Sequence, residues 1–257
     1  MDNLNYKDIC LSLVDTFLFA GDKCLKIRNE GLKTDYKEDN TPVTNGDIEV
    51  NRMLTDKILQ ITPSIPIVSE ESPLNKLKNN LKTFWLIDPI DGTYDYVNNK
   101  DEFTLNAALI VNRLPIIGLI YAPAKKRMFY TYQKGESFEL INNNEKKLDC
   151  SKKTKPNQIK AVHYSEKLKP EIKELHLKYG VTEHHKMKSS FKFCVIASSE
   201  YDIYISEPRA SEWDIAAGHA ILQNAGGIVT DFDNNQIIYG KQDFKNSSLI
   251  LRRSKNL

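Results

Sequence analysis

Apolar residues at Ile9, Leu11, Leu13, Val14, Phe17 and Leu18 recur at roughly helical spacing. They predict an amphipathic helix over 6–30 that ends near Gly31. The polar stretch 32–45 reads as a hairpin or loop that presents Thr44 and Asp47 at its end. Ile48, Val50, Met53, Leu54 and Ile58 predict a second helix over 47–61, with Pro63 beyond it. Short apolar runs follow. Residues 65–68 form a strand that leads into Ser69-Glu70-Glu71-Ser72, and TFWLI at 83–87 forms a stronger one that ends at Asp88. Two more, 105–111 and 116–121, are joined by Asn112-Arg113. Residues 128–132 continue the β pattern, and Gly135 marks a hairpin. The segment 142–160 is Asn- and Lys-rich with little apolar content, and reads as a solvated linker. Beyond it come a strand at 159–163, a helix at 167–178, strands at 193–197 and 202–205, a helix at 212–224 closed by Gly226-Gly227, and a strand at 228–231. Helices and strands are mixed throughout without a repeat, so the class is α/β or α+β. The linker divides it into 1–145 and 146–257.

The 257 residues suit one large domain or two modest ones. A chain of this size buries about 73% of its extended surface on folding, so a sizeable core needs no staples. Lys plus Arg is 36 against 34 for Asp plus Glu, which gives no general pull toward nucleic acid or anionic lipid. Cys10, Cys24, Cys150 and Cys194 include no CxxC pair and do not read as a disulfide scaffold, so a reducing cytosol is expected. The apolar run 9–20 is cut by Asp15 and preceded by Asp2 and Asp8. It is neither a signal peptide nor long enough to span a bilayer.

The chemistry concentrates in Trp85-Leu86-Ile87-Asp88-Pro89-Ile90-Asp91-Gly92-Thr93. A hydrophobic strand ends in two carboxylates three apart, and Pro89 fixes the turn between them so that both can face one point. Ile90 can turn its main-chain carbonyl inward as a neutral hard ligand. Carboxylates clustered with a carbonyl suit Mg²⁺ rather than Zn²⁺. If a helix starts after Gly92, the N–H groups of Gly92, Thr93 and Tyr94 form an anion site beside the metals. Each acid alone has a plain structural role. Asp-Pro and Asp-Gly pairs make turns, Asp47 stands three residues after Thr44 as a helix cap does, and Asp214 in a first turn suits the helix dipole. Glu70 and Glu71 stand at another strand end. Several acids, each at the end of an element, point to one cluster.

DPIDGT (88–93), SEES (69–72), PVTNGD (42–47) and EWDIAAGHAILQNAGG (212–227) resemble the signatures of the inositol monophosphatase-like, Mg²⁺-dependent, lithium-sensitive phosphatases, over nearly the whole chain. EFTLN (102–106), SSFKFC (189–194) and Glu212 before Trp213-Asp214 resemble the bacterial 3′(2′),5′-bisphosphate nucleotidase branch. The chain departs from that branch at Ile205-Ser206, where a Pro-Arg is usual, and at Pro208-Arg209; Arg209 stands three residues from the missing guanidinium.

The resemblance implies a sugar-phosphatase fold, a layered sandwich of alternating helix and sheet layers. It implies a phosphomonoesterase acting on a small phosphorylated molecule, 3′-phosphoadenosine 5′-phosphate first, with an inositol or sugar monophosphate as the alternative and a non-catalytic binder as a third. Glu70, Asp88 and the Ile90 carbonyl would hold one Mg²⁺ and Asp88, Asp91 and Asp214 another, with two to three ions in all and Mn²⁺ as a substitute. Thr93 and Asp47 would activate the attacking water, with Glu70 beside them. Asp91, Gly92, Thr93, Tyr94, Ser190, Lys192, Glu212 and Asp214 would meet the substrate, Lys192 through a second anionic group. The family further implies a cytoplasmic protein, with peripheral association at the inner face of the membrane, and leaves monomer and homodimer open.

Overall fold

The computed structural model describes residues 4–38, 40–72, 81–152 and 158–257. The first predicted helix is α1 (Tyr6–Glu30), opened by the Asn5 side chain, which accepts from Asp8 N. The polar stretch after it is a hairpin of β1 (Thr34–Tyr36) and β2 (Pro42–Thr44). It leads directly into α2 (Asn45–Ile61). Then come β3 (Ile67–Ser69), β4 (Phe84–Asp91), the single turn α3 (Thr93–Val97), β5 (Thr104–Val111), β6 (Leu114–Ala122), β7 (Arg127–Gln133), β8 (Glu136–Ile141) and β9 (Asn144–Lys147). Strands β3 to β9 lie in chain order in one seven-stranded sheet, in which only the β3–β4 pair is parallel.

The second part of the chain supplies β10 (Ile159–His163), α4 (Pro170–Lys178), β11 (Val181–Lys186), α5 (Phe191–Ala197), β12 (Ile203–Ser206), α6 (Glu212–Asn224), β13 (Ile228–Thr230) and β14 (Leu249–Arg252). Its five strands are ordered β11-β10-β12-β14-β13.

Strand alternation builds the layers. Trp85, Ile87, Leu105, Ala107 and Leu109 face α1 and α2 in one core. Their neighbours Phe84, Leu86, Ala108 and Ile110 face the other way, into a core shared with α5, α6 and Val162, Tyr204, Leu249 and Leu251 of the second sheet. The far side of that sheet, Ile159, Ala161, Ile203, Ile205 and Ile250, packs on Ile172 of α4. Helix, sheet, helix, sheet and helix thus stack in five layers, as the expected sandwich requires. The central layer is tight. A Cβ on Gly118 of β6 would lie 2.4 Å from the Ala217 carbonyl oxygen, and one on Gly218 would lie 2.3 Å from the Phe193 ring. The small residues of Ala216-Ala217-Gly218 let α6 lie directly on the first sheet.

Two expectations are corrected. Residues 193–197, read as a strand, belong to the helix α5. Every residue of α5 is buried between the two sheets, so no polar face marks a period. The predicted linker begins as a strand: β9 pairs with β8 across Asn142-Asn143, both at positive φ, a turn that asparagine tolerates. All four β9 residues are exposed. Its lysines blunt the free sheet edge, and for that reason it carries no apolar alternation. Leu148 and Cys150 then enter the core, and 153–157 of the linker lie outside the described residues. All four cysteines are buried and unpaired with one another. No helix among the described residues is long and apolar enough to cross a membrane.

Candidate active site

The DPID run is a β-bulge at the C-terminal end of β4. Asp88 pairs with Asn106 and Asp91 with Thr104, so β4 spends one residue more than β5 between the same two rungs. The bulge, which contains Pro89, re-aims the strand so that both acids serve one site. Gly92 follows at φ 94°, and a Cβ there would lie 2.8 Å from the Glu102 carbonyl oxygen, so only glycine makes this turn. The helical bonds of α3 begin with the N–H of Asp95 and Tyr96, both donated to the Gly92 carbonyl. The N–H groups of Gly92, Thr93 and Tyr94 precede them, as expected.

Three other elements bring acids to Asp88. The Glu70 N–H donates to the Ile87 carbonyl at 3.0 Å, which sets Glu70 beside Asp88 at the C-terminal ends of parallel strands. Asp47 and Asp214 are both third residues of helices and both cap them. Asp47 Oδ2 accepts from the Thr44 N–H (2.8 Å) and hydroxyl (2.6 Å), and Asp214 Oδ2 accepts from Ser211 N at 2.7 Å. Asp47 Oδ1 then remains for the Thr93 hydroxyl at 3.2 Å, which also has the Ile90 carbonyl at 2.9 Å. Asp47 thus caps α2 with one oxygen and meets Thr93 with the other.

Glu70, Asp88 and Asp214 each offer a carboxylate oxygen within 4.8 Å of the others. Asp88 is buried, and its Oδ1 has no hydrogen-bond partner among the described residues. Burial together with Glu70, Asp91 and Asp214 drives its pKa well above the ordinary carboxylate value. Burial raises Asp91 to about 6, against the pull of Lys192 and the Ser190 N–H. Asp214 goes to about 8 through burial and the nearby Asp91 and Glu70, and Asp47 to about 6, chiefly through burial. Lys37, beyond β1, reaches in at 2.8 Å from Glu70 and 2.7 Å from Glu71. An all-oxygen donor set with buried Asp88 among half-buried acids and one orphaned carboxylate oxygen fits a hard divalent cation of the Mg²⁺ kind.

This crowding has a measurable consequence. An acid whose folded pKa lies above its unfolded value contributes stability that is present below the unfolded pKa and lost as pH rises through the folded one. For Asp47, Asp91 and Asp214 the window runs from 3.8 to about 8. His176 and His219, held down to about 4 by burial, act oppositely, but only below their ordinary 6.5. Lys192, lowered to about 8 by burial, acts above that value. From pH 6.5 to 8 the EDTA-treated chain should therefore lose thermal stability as pH rises, and Mg²⁺ should raise its Tm most at the upper end. A flat or rising Tm across this interval would sink the crowded-charge account.

Beside the acids lies a cavity of about 330 Å³. Asp91, Gly92, Tyr94, Asp214, Ser190 and Lys192 line it. Ser190 donates its N–H to Asp91 and its hydroxyl to Asn106 Oδ1 at 2.6 Å, while accepting from Thr104 at 2.8 Å. Lys192 lies in α5, buried, with its ammonium donating to the Ser189 carbonyl and 5.3 Å from the centre of the Tyr204 ring. Glu212 is elsewhere. Its oxygens accept from Gly240 N (2.7 Å) and Lys241 N (3.0 Å), and the Lys241 ammonium pairs with it at 2.8 Å. It pins the 240–241 turn and does not line the cavity, which corrects its expected role at the substrate.

Arg209 does line the cavity, its guanidinium 3.8 Å from the centre of the Tyr164 ring. Tyr164 and Lys188 were not picked out from sequence. Each is one residue past a strand or within a polar loop, and no local pattern marks it.

Acids from four elements converge beside a cavity lined by cations and aromatic rings, the layout that a metal-assisted phosphatase needs. The family model described as the inositol monophosphatase family matches residues 14–256, and the chain belongs to that family. It is 34% identical over 224 residues to the 3′(2′),5′-bisphosphate nucleotidase CysQ of Buchnera aphidicola subsp. Acyrthosiphon pisum, covering 86% of this chain and 83% of that protein. The CysQ of Salmonella typhimurium is 31% identical over 224 residues, 86% of this chain and 89% of its own. Among solved structures, CysQ from Bacteroides thetaiotaomicron, described as a bacterial member of the inositol monophosphatase family, superposes with a TM-score of 0.78 at 28% identity, covering 97% of this chain and 98% of that one.

Proposed function

We propose that the chain hydrolyses the 3′(2′)-phosphate of 3′-phosphoadenosine 5′-phosphate to give AMP and phosphate. The observation that carries this reading is the composition of the cavity. It opens beside the acid cluster at Asp91 and Asp214, yet is also lined by Lys188, Lys192 and Arg209 and by Tyr94, Tyr164 and Tyr204. Cations held by the acids would take one phosphate, the lysines and arginine a second, and the aromatic faces a base. The relatives named as bisphosphate nucleotidases support the same substrate.

Glu70, Asp88, the Ile90 carbonyl, Asp91 and Asp214 would hold two to three Mg²⁺, with Mn²⁺ as a substitute. Bound there, the ions supply positive charge to the phosphoryl group and lower the pKa of water. The chain supplies the proton path. Thr93 Oγ1 takes a proton from the attacking water while its own hydrogen passes toward Asp47 Oδ1. Burial keeps that carboxylate basic enough, at about 6, to receive it near neutral pH. Asp47 is held for this task by its two bonds from Thr44. Ser190 N–H and Lys192 orient and partly neutralise Asp91 from the other side.

Phosphate release from 3′-phosphoadenosine 5′-phosphate and from inositol 1-phosphate, each with Mg²⁺, with EDTA and with added Li⁺, tests the reading. Faster release from the bisphosphate, abolished by EDTA and inhibited by Li⁺, is expected. Preference for inositol 1-phosphate would overturn the substrate, and full turnover in EDTA would overturn the mechanism. Lys192→Ala should raise KM for the bisphosphate by about ten- to a hundredfold, the worth of one charge-assisted bond. It should barely alter the slow hydrolysis of a monophosphate. Equal damage to both would show that Lys192 acts through Asp91 or the packing of α5 and not on a second phosphate.

A further inference from the structure

Two sequence runs, EFTLN at 102–106 and SSFKFC at 189–194, meet behind the acid cluster. Side chains alternate along β5. Leu105, Ala107 and Leu109 face α1 and α2, so Thr104 and Asn106 face α5 and α6 with Ala108. Asn106 is the direct partner of Asp88 across β4 and β5, and side chains paired in this way have Cβ atoms about 5 Å apart. Both residues are buried. Glu102 Oε2 accepts from Lys188 N at 3.1 Å. The Thr104 hydroxyl donates to the Ser190 hydroxyl at 2.8 Å, which in turn donates to Asn106 Oδ1 at 2.6 Å. Ser190 also donates its main-chain N–H to Asp91. Ser189, at φ 53°, makes the bend before it, a strained conformation of the kind kept where a site needs it.

The chain of hydroxyls has a direction. Ser190 has one hydrogen and gives it to Asn106, so the amide turns its oxygen toward Ser190 and its NH₂ group the other way. That Nδ2 has no hydrogen-bond partner among the described residues, and neither has Asp88 Oδ1. One is a donor and the other an acceptor, on one rung and one face of the sheet. A buried N–H left unmet is costly, and a leucine of similar shape would avoid that cost.

We propose that Asn106 is a positioning residue for Asp88, whose carboxylate its amide N–H holds in place for a divalent cation. The inference rests on the reading of the acids as a Mg²⁺ site. A carboxylate oxygen has two lone pairs, so Oδ1 can face an ion with one and accept the amide with the other. Ligating carboxylates are held in this way by groups behind them. An N–H donated to a carboxylate is charge-assisted, and a neutral amide does not compete with the ion for the carboxylate's charge as a lysine would. Ser190 then serves two acids, Asp91 through its main chain and Asp88 through Asn106. The EFTLN run thereby gains a task. It fastens the start of α5, the helix that carries Lys192 to the cavity, to the acids on β4.

Calorimetric titration of Mg²⁺ into the full chain, with Tm in EDTA as the control for folding, tests this. Asn106→Leu should weaken Mg²⁺ binding by about ten- to a hundredfold, the cost of losing a partner behind a ligand, without lowering the Tm in EDTA. Its turnover should recover most of the wild-type rate when Mg²⁺ is raised by the same factor, because Asn106 acts through Asp88 and not on the reacting atoms. Ser190→Ala keeps the main-chain N–H on Asp91 and releases the amide. It should weaken Mg²⁺ binding by a smaller factor, and it carries the test if leucine at 106 does not fold. Unchanged Mg²⁺ affinity in both variants overturns the proposal. So does a rate that stays low at saturating Mg²⁺, which would place Asn106 in the reaction itself. A wild-type chain that binds no Mg²⁺ would overturn the metal reading as well, a result distinct from equal binding by wild type and variants.

Discussion

Asp88→Asn should leave a folded chain that no longer binds Mg²⁺ tightly and no longer turns over. Asp88 sits at the centre of the acids, with one oxygen close to Glu70 and Asp214 and an Oδ1 that no other described group satisfies. Asparagine keeps the shape and the place opposite Asn106 in the sheet, so the change is in charge rather than packing. Loss of a single preorganised charge-stabilising group costs about 10²–10³ in rate. Asp88 is expected to anchor the ions on which the whole phosphoryl site depends, so its loss should exceed that range. The same substitution should stabilise the metal-free protein at pH 8. It removes a buried carboxylate that its neighbours oppose, as stability exchanged against function. Calorimetric Mg²⁺ titration and Tm with and without Mg²⁺ separate the two effects. Near-normal Mg²⁺ affinity in Asp88→Asn would show that Glu70, Asp91 and Asp214 suffice without it.

Much of this site is legible because its acids occupy positions with local grammar. Asp47 and Asp214 stand three residues after Thr44 and Ser211, a spacing that marks helix starts. Asp88 and Asp91 close a strong apolar strand. Reading each acid as a cap or turn is correct as far as it goes, since Asp47 and Asp214 each use one oxygen that way. What local grammar omits is the second oxygen, and only the collection of such acids at element ends points to it. Resemblance to the phosphatase family carries the layered fold further than periodicity does.

The misses have physical causes. In α5 every side chain is buried, so a helix between two sheets has the same apolar texture as a strand. In β9 every side chain is exposed, so a strand held by its hairpin and its backbone bonds has no apolar texture at all. β14 adds only a short run, Leu249–Leu251, between polar neighbours. Glu212 fits a family pattern, yet its partners are backbone N–H groups some 28 and 29 residues away. Long-range encounters of this kind leave no periodic trace.

Thr93→Ala should keep Mg²⁺ binding and lose rate, by about 10²–10⁴-fold, the range for a lost proton-transfer group. The hydroxyl has one hydrogen and two acceptors, the Ile90 carbonyl at 2.9 Å and Asp47 Oδ1 at 3.2 Å. When the Ile90 carbonyl is engaged as a ligand, that hydrogen is left to Asp47, which turns Thr93 into an acceptor for a proton from water. Thr93 contributes no carboxylate to the cluster, so its removal should spare affinity where Asp88→Asn does not. Thr93→Ser keeps the hydroxyl on the same short turn after Gly92 and should restore most of the rate. The pH dependence of kcat adds a reading that packing alone does not move. In wild type the rate should fall as pH drops through the Asp47 value of about 6, and in Thr93→Ala that dependence should flatten. Equal loss of Mg²⁺ affinity in Thr93→Ala and Asp88→Asn, or a serine variant as slow as the alanine one, would show that Thr93 shapes the metal site and takes no part in moving the proton.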